Sequence, residues 1–185
     1  SDLHIAPLAM NAAVVFEQEY SGVEGDSASC AEFYALLSSL SGLPMRQGIA
    51  VTGAVNQHGE LLPVGGINEK IEGYFRSCES LGLDGQQGVL MPSRNRRHLM
   101  LDERVVKAVA DGQFHIHVAD TAGEGLVLLT GVCFGTLGVS GYEPDSVLGR
   151  AQKTLLRFRH ACEHLGNKPP TTPNHMRHLK HNVFR

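Results

Sequence analysis

Short apolar runs alternate with helical stretches along most of this chain, and this alternation restricts the fold more than any other feature. Five runs have the composition of strands, and they lie at residues 12–16, 49–55, 61–64, 88–92 and 114–118. Helical periodicity and helix-ending residues predict helices at about residues 27–40, 69–81, 103–110 and 122–130. A turn at 56–59 joins two of the strands as a hairpin. Because strands that alternate with helices form layered sheets, the sequence predicts an α/β fold with a mixed sheet.

Two segments are less regular than the others. The polar and basic residues 93–98 are expected to connect a strand to a helix and to begin a helical turn. The uncharged segment 125–142 contains five glycines. The glycines favour a helix end followed by a turn-rich strand or loop over a membrane span, so no membrane segment is expected in this chain.

The C-terminal part has a different character. Apolar residues recur at helical spacing from Val147 to Cys162, on a helix whose other face is basic. Three prolines within 168–173 predict an extended linker before a His-rich end. We therefore divide the chain into a first domain at 1–137 that lacks some N-terminal chain, a helical basic extension at 138–166, and a mobile His-rich tail at 167–185.

Charge and cysteine content limit the partners and the compartment. The net charge is −3, but residues 150–185 hold eight of the sixteen basic residues and one of the nineteen acids, which leaves the first 149 residues at −10. Such a basic end favours a contact within the chain, a subunit contact or a polyanion partner. The four cysteines are far apart and form no CxxC pair, which predicts reduced, mostly buried thiols. With no basic signal-peptide start, we expect a cytoplasmic protein.

Ser27 is the first candidate for chemistry. It lies between small residues, after the acidic Glu24 and Asp26 and directly before an apolar run that predicts a helix. Backbone N–H groups and the dipole at a helix N-terminus favour anionic groups, which suits a nucleophile with an oxyanion site. Serine is equally a preferred helix N-cap, so the local pattern leaves both interpretations open.

A serine nucleophile needs a base, and the candidates differ in quality. The histidines are in no pattern typical of a serine hydrolase, and no GxSxG elbow is present; those considered are His58, His98, His115 and His117. Lys70 lies early in a predicted helix that Asn68 can cap, just after Gly65 and Gly66. A lysine can act as the base if burial keeps its amine neutral, although most helical lysines are solvated.

Three linked motifs now point to a family. They are VEGDSAS at 23–29, VTGAV at 51–55 and LPVGGINEK at 62–70. In order, residue types and the 43-residue separation of Ser27 from Lys70, they resemble the proteolytic domain of the Lon protease family. The resemblance covers residues 14–131 and implies a Lon-protease-like α/β fold.

The resemblance implies roles for individual residues. Ser27 is the expected nucleophile, and Lys70 is the expected general base and later the acid. Thr52 matches the threonine that helps to hold the lysine, and the alternative is an ordinary β-branched strand residue. The backbone N–H groups of Ser27 and Ala28 are expected to form the oxyanion hole.

Gly65 and Gly66 match the family's glycine pair, which lets backbone approach the site closely. The alternative is a plain strand-to-helix turn. Asp26 and Ser29 replace the proline and glycine of the commonest bacterial form, as in the archaeal, membrane-type branch and in bacterial Lon-like paralogues. A carboxylate at Asp26 or Glu24 is expected to tune Lys70, either orienting it or holding it charged.

The resemblance also implies partners. Members act on unfolded polypeptides and assemble as a homo-oligomeric ring, usually of six subunits. The chain has no GxxxxGK[ST] phosphate loop, so we expect no cofactor here, and ATP with Mg²⁺ only through an ATPase region absent from this chain. Family domains carry more chain before the serine than the 26 residues here.

The histidine pairs at the C-terminal end do not predict a metal site. His160 and His164 supply only two ligands, and Ala161 stands where a zinc protease would have glutamate. A spacing of three recurs at 175, 178 and 181, which we interpret as a solvated basic end. Nucleic acid is expected as a partner only through this tail, by nonspecific charge attraction.

Two functions follow from the sequence. The first is a Lon-type serine endopeptidase with a Ser27–Lys70 dyad. The second is a catalytically silent assembly or interaction domain of a Lon-like protein, which the missing N-terminal portion and a locked Asp26–Lys70 pair would favour.

Overall fold

The computed structural model describes residue 12 and residues 25–166 of the chain. In chain order, the elements are α1 Ser29–Ser41, β1 Ile49–Val51, β2 Ala54–Val55, β3 Leu61–Leu62, α2 Ile67–Leu81, β4 Gly88–Pro92, a 3₁₀ helix Ser93–His98, α3 Glu103–Ala110, β5 His115–Ala119, α4 Ala122–Thr130, β6 Leu137–Gly138, β7 Gly141–Tyr142 and α5 Val147–Gly166. The α/β class predicted from the sequence is confirmed.

A three-stranded parallel sheet forms the centre, with β4 between β1 and β5. Every residue of β4 is buried, as expected for the middle strand of a sheet covered on both faces. The antiparallel pairs form two separate hairpins, β2 with β3 and β6 with β7. Among the described residues, parallel and antiparallel strands therefore lie in different small sheets.

Two hydrophobic clusters cover the two faces of β4. Leu90 belongs to a cluster with α1, α4 and the start of α5. Val89 and Met91 belong to the other cluster, with α2 and α3. Alternate residues of a strand point to opposite faces, so β4 places one helical layer on each side.

Several predicted boundaries are confirmed. β4, α3 and α4 begin and end where the sequence predicts, and Gly42 ends α1 in the left-handed conformation with φ 69°. Glycine adopts this conformation without a Cβ clash, which explains the stop. The polar connection at 93–98 does form a helical turn, although it is a 3₁₀ helix.

Two local predictions are wrong. The strand predicted at 49–55 is split: β1 ends at Val51, the Thr52 N–H still bonds to β4, and Gly53 bonds to the loop around Ser27 instead of to the sheet. Asn68 does not cap α2. The helix starts at Ile67 after a left-handed Gly66, and the Asn68 side chain binds another segment.

Helix α5 begins inside the core and ends on the surface. Val147 and Ala151 are buried in the cluster that contains α1. Phe158 and Cys162, on the same predicted apolar face, are exposed. Leu155 is only partly buried. The predicted strand beyond Ala12 and the tail at 167–185 lie outside the described residues.

All four cysteines are free thiols. The prediction that they are mostly buried is right for Cys30 and Cys78 and wrong for Cys133 and Cys162, which are exposed. Among the residues that the structure describes, no helix has both the length and the apolar character needed to cross a membrane.

Candidate active site

The loop that carries Ser27 is fixed to the segment between β1 and β2 by main-chain hydrogen bonds. The Gly53 N–H donates to the Ser27 carbonyl at 2.9 Å, and the Cys30 N–H donates to the Gly53 carbonyl at 3.1 Å. The Ser29 hydroxyl accepts from the Val55 N–H at 3.1 Å. These bonds explain why β1 ends at Val51, since Gly53 uses its polar groups for the loop.

Gly53 is a site residue that we did not single out from the sequence, although it lies in the VTGAV motif. A Cβ there would lie 3.2 Å from Pro92 Cγ and 3.7 Å from Cys30 Cβ. The absence of a side chain therefore lets three segments meet beneath Ser27. The glycine of the motif was visible in the sequence, but its close neighbours were not.

Ser27 is not the cap of α1. The helix begins at Ser29, Ala28 occupies the N-cap position, and no side chain caps the helix. Ser27 therefore lies one residue before the cap and is partly buried. The interpretation of Ser27 as a structural cap is wrong, and its hydroxyl is not committed to the helix.

The backbone N–H groups of residues 27–30 differ in whether they have a backbone acceptor. The Ser29 N–H donates to the Asp26 carbonyl at 3.0 Å, and the Cys30 N–H is bound to Gly53. Within residues 25–166, the N–H groups of Ser27 and Ala28 donate to no backbone acceptor. Of the four N–H groups, these two are the ones that fit the predicted oxyanion hole, which stays a prediction.

Lys70 reaches the Ser27 loop through Thr52. The Lys70 amine donates to Thr52 Oγ1 at 3.4 Å, and Thr52 Oγ1 donates to the Ser27 carbonyl at 3.5 Å. The Thr52 N–H donates to the Leu90 carbonyl at 3.1 Å, which anchors the threonine to β4. The structure thus brings Ser27, Thr52 and Lys70 together from three separate motifs.

The Lys70 side chain is exposed, so this chain does not itself supply the burial that would keep the amine neutral. Among the described residues, the Ser27 hydroxyl and the Lys70 amine form no direct hydrogen bond, and Thr52 contacts the amine and the main-chain carbonyl of Ser27. Catalytic hydrogen bonds are often long before substrate binds, so the lack of a direct bond is compatible with a Ser27–Lys70 dyad. The roles of both residues stay predictions.

The two acidic candidates are less well placed. Asp26 is exposed, and within residues 25–166 it forms no ion pair with Lys70. Glu24 lies outside the described residues. The tuning role of either carboxylate therefore stays a prediction.

The glycine pair before α2 forms a turn. Gly66 has φ 64°, a left-handed conformation that favours glycine, and its carbonyl accepts from the Lys70 N–H at 3.1 Å. A Cβ at Gly65 would meet nothing within 4 Å. Of the glycines at 53, 65 and 66, only Gly53 has another segment of the described chain this close, and the close approach expected at Gly65 and Gly66 stays a prediction.

Cys30 is a second nucleophile candidate near the loop. It is fully buried, and burial raises the pKa of its thiol. A thiol reacts as the thiolate, so a buried cysteine with a raised pKa is a poor nucleophile. Cys30 therefore serves packing, and Ser27 is the nucleophile candidate in this loop.

Described histidines on β5 and α5 make contacts of their own. His115 and His117 stack on β5 with ring centroids 5.8 Å apart, and His115 Nε2 contacts the Gly85 carbonyl. Burial, His115 and Arg46 together lower the pKa of His117. His160 contacts Glu163 on α5. The described residues contain no group of three or more His, Cys, Asp or Glu side chains arranged to hold a metal ion.

Comparisons with known proteins agree with these motifs. Residues 21–130 match the family described as the Lon protease (S16) C-terminal proteolytic domain. A Lon protease homolog from Escherichia coli K12 is 50% identical over 122 residues, which are 66% of this chain and 21% of that protein. A Lon protease homolog from Haemophilus influenzae is 44% identical over 124 residues, 67% of this chain and 21% of that protein.

An archaeal relative is more distant. The archaeal Lon protease of Pyrococcus abyssi is 41% identical over 88 residues, which are 48% of this chain and 8% of that protein. The chain thus spans about a fifth of the length of the two bacterial relatives and less of the archaeal one.

Proposed function

The chain belongs to the Lon protease family through its C-terminal proteolytic domain, and from this premise we propose that it is a serine endopeptidase with a Ser27–Lys70 dyad. Its substrates would be unfolded polypeptides. The observation that carries the proposal is the position of Thr52, whose hydroxyl contacts both the Lys70 amine and the Ser27 carbonyl.

In the first half of the reaction, the Ser27 hydroxyl attacks the carbonyl carbon of the scissile peptide while the neutral Lys70 amine takes its proton. The tetrahedral oxyanion is stabilised by N–H groups near Ala28. When the intermediate collapses, the C–N bond breaks and the Lys70 ammonium gives its proton to the leaving amine. The acyl group stays on Ser27.

In the second half, water attacks the acyl carbon. Lys70, again neutral, takes a proton from the water and returns it to the Ser27 oxygen as the ester bond breaks. Thr52 accepts a hydrogen bond from Lys70 and limits where the amine can point. The Lys70 nitrogen thus receives the proton that leaves Ser27 in the first half and the proton that leaves water in the second half.

We propose that other parts of the assembled protein supply the remaining features of a working protease. Lys70 is exposed, so the dry surroundings that favour a neutral amine would come from bound polypeptide or a neighbouring subunit. We propose a homo-oligomeric ring, six subunits by family resemblance, in the cytoplasm. ATP with Mg²⁺ would act only through an ATPase region outside this chain.

The test uses paired substitutions in the assembled full-length protein. Ser27→Ala and Lys70→Ala are expected to abolish cleavage of an unfolded polypeptide, because each removes one member of the dyad. Ser77→Ala and Lys107→Ala, at exposed positions on α2 and α3, are the matched controls and should cut at the parental rate. Parental cleavage by both dyad variants would disprove the assignment.

A silent assembly domain is the second candidate, and the exposed Lys70 without a direct bond to Ser27 favours it. The two functions differ in chemical reactivity. An active dyad predicts that a peptidyl phosphonate labels Ser27 in the assembled protein and that Lys70→Ala prevents labelling. A protein that is well folded and assembled but leaves Ser27 unlabelled would support the silent domain.

A further inference from the structure

Asn95 is a buried polar residue that the proposed chemistry does not use. It lies in the 3₁₀ helix after β4 and is 2% exposed. Its side-chain amide donates to the Val64 carbonyl at 2.8 Å, and its side-chain oxygen accepts from the Val64 N–H at 3.0 Å. One side chain thus satisfies both main-chain groups of the residue that precedes the glycine pair.

A second asparagine makes the reverse contact. Asn68, in the first turn of α2, donates to the His98 carbonyl at 3.1 Å and accepts from the Met100 N–H at 2.9 Å. Asn95 therefore holds the chain just before α2, and Asn68 holds the chain just after the 3₁₀ helix. We name this pair of contacts, made by the Asn68 and Asn95 side chains, the asparagine clasp.

The clasp flanks the glycine turn, whose two residues have few neighbours, while Ile67 just after the turn is buried in the cluster of α2 and α3. Gly65 has no neighbour within 4 Å of a Cβ position, and Gly66 has only the Glu69 side chain at 3.7 Å. Lys70 follows in the same helical turn, with its N–H bound to Gly66. Because a helix is stiff, the direction of its first turn decides where the Lys70 amine can reach.

The segment that carries Asn95 also touches the Ser27 side of the site. Pro92, the last residue of β4, comes within 3.2 Å of a Cβ position on Gly53. Gly53 is in turn hydrogen-bonded to the Ser27 carbonyl at 2.9 Å. The segment 92–100 therefore contacts Gly53, which holds the Ser27 loop, through Pro92. Through the asparagine clasp it also contacts the start of α2.

We infer that Asn95 is a positioning residue that acts through Val64 and the glycine turn to hold Lys70 in register with Thr52 and Ser27. The inference rests on the proposed dyad. Asn95 touches neither the substrate nor the reacting atoms. Its role is to keep the base within reach, a function in which shifts of about 1 Å cost about a hundredfold in rate.

Two substitutions of Asn95 distinguish a role in positioning Lys70 from a role in stabilising the fold alone. Asn95→Ala leaves the Val64 N–H and carbonyl without their partner. Asn95→Asp keeps an acceptor for the N–H, but an ionised carboxylate cannot donate to the Val64 carbonyl, whereas a protonated one can. The Asp variant should therefore regain part of the parental geometry as the pH falls.

Ser146→Ala is the matched control. Ser146 is 0% exposed, and its hydroxyl donates to the Glu143 carbonyl at 2.6 Å and accepts from the Gly149 N–H at 3.0 Å. Like Asn95, it is a buried polar residue with two main-chain bonds. It lies at the start of α5, away from the clasp.

The experiment measures kcat, KM and Tm for peptide cleavage by the assembled full-length parent and the three variants. We expect Asn95→Ala to lower kcat about ten- to a hundredfold with KM within about twofold of the parent. Ser146→Ala should lower Tm and keep kcat. The ratio of kcat for Asn95→Asp to kcat for the parent should rise as the pH is lowered.

Each outcome decides between the claims. The inference is overturned if Asn95→Ala and Ser146→Ala lose similar Tm and have equal kcat. If Asn95→Ala does not fold, a pH-independent ratio for Asn95→Asp overturns it. Failure of the dyad itself is seen separately, since Ser27→Ala would then cleave as fast as the parent.

Discussion

Lys70 and Thr52 are joined by a hydrogen bond of 3.4 Å, although they belong to different motifs and lie 18 residues apart. The threonine hydroxyl is also in contact with the Ser27 carbonyl. Thr52 thus links the candidate base to the loop of the candidate nucleophile.

Replacing Thr52 by Val should lower kcat about fivefold. Valine keeps the shape but loses the hydroxyl that Lys70 contacts, and one hydrogen bond contributes about 1 kcal/mol, which corresponds to about fivefold in rate. Steady-state peptide cleavage measures the effect. Thr52→Ser retains the hydroxyl and should keep most of the activity, and full activity in Thr52→Val would show that the contact is incidental.

Gly53→Ala should destabilise the fold by about 1–3 kcal/mol, the usual cost of overpacking a filled site. The new methyl would lie 3.2 Å from Pro92 Cγ and 3.4 Å from Pro92 Cδ. Chemical denaturation gives the change in the free energy of unfolding. Gly73→Ala in α2, whose Cβ would have its nearest neighbour at 3.9 Å, should instead stabilise by about 0.5–1 kcal/mol; equal effects would contradict the proposed packing.

Tyr34→Phe should stabilise the protein by about 1 kcal/mol. Among the described residues, the buried Tyr34 hydroxyl forms no hydrogen bond to nitrogen or oxygen; burial and then the neighbouring Cys30 thiol, a weak partner, raise the pKa of Tyr34 above its usual range. Removing an unsatisfied buried polar group relieves its desolvation cost. Tyr74→Phe is the control, since its hydroxyl donates to the Gly48 carbonyl at 3.0 Å and its loss should destabilise. Thermal melts of both variants should move in opposite directions.

His117 should make the fold less stable in mild acid. Burial, followed by the charges of His115 and Arg46, lowers the pKa of His117 in the folded protein. The unfolded chain then binds more protons, so the free energy of unfolding decreases as the pH falls below about 6.5. Denaturation at pH 7.5 and 5.5 measures the slope, and His117→Gln should reduce it; an unchanged slope would exclude His117 as a source.

The sequence predicts those parts of the fold that local patterns control. The bounds of α3 and α4 follow from their caps and periodicity, and β4 follows from its apolar composition. The break after Val51 could not be predicted, because it depends on bonds between Gly53 and a loop more than twenty residues earlier.

The candidate site likewise contains residues that the sequence indicates and residues that only the structure reveals. The motifs indicate Ser27, Thr52 and Lys70, and the structure brings them together. Asn95 lies outside the three motifs in a polar segment, and only its contact with Val64 distinguishes it from its exposed neighbours. The sequence left the burial of Lys70 open, because neighbouring residues in the sequence do not determine what covers a helix face.

The loop bearing Ser27 is attached to Gly53 by main-chain atoms, through the Ser27 carbonyl and the Cys30 N–H. Main-chain groups are the same in every amino acid except proline, so this attachment does not depend on the side chain at position 26. Mutation can therefore exchange that side chain over evolutionary time while the loop keeps its shape. The attachment of the Ser27 loop can therefore stay the same while the residue at position 26 changes.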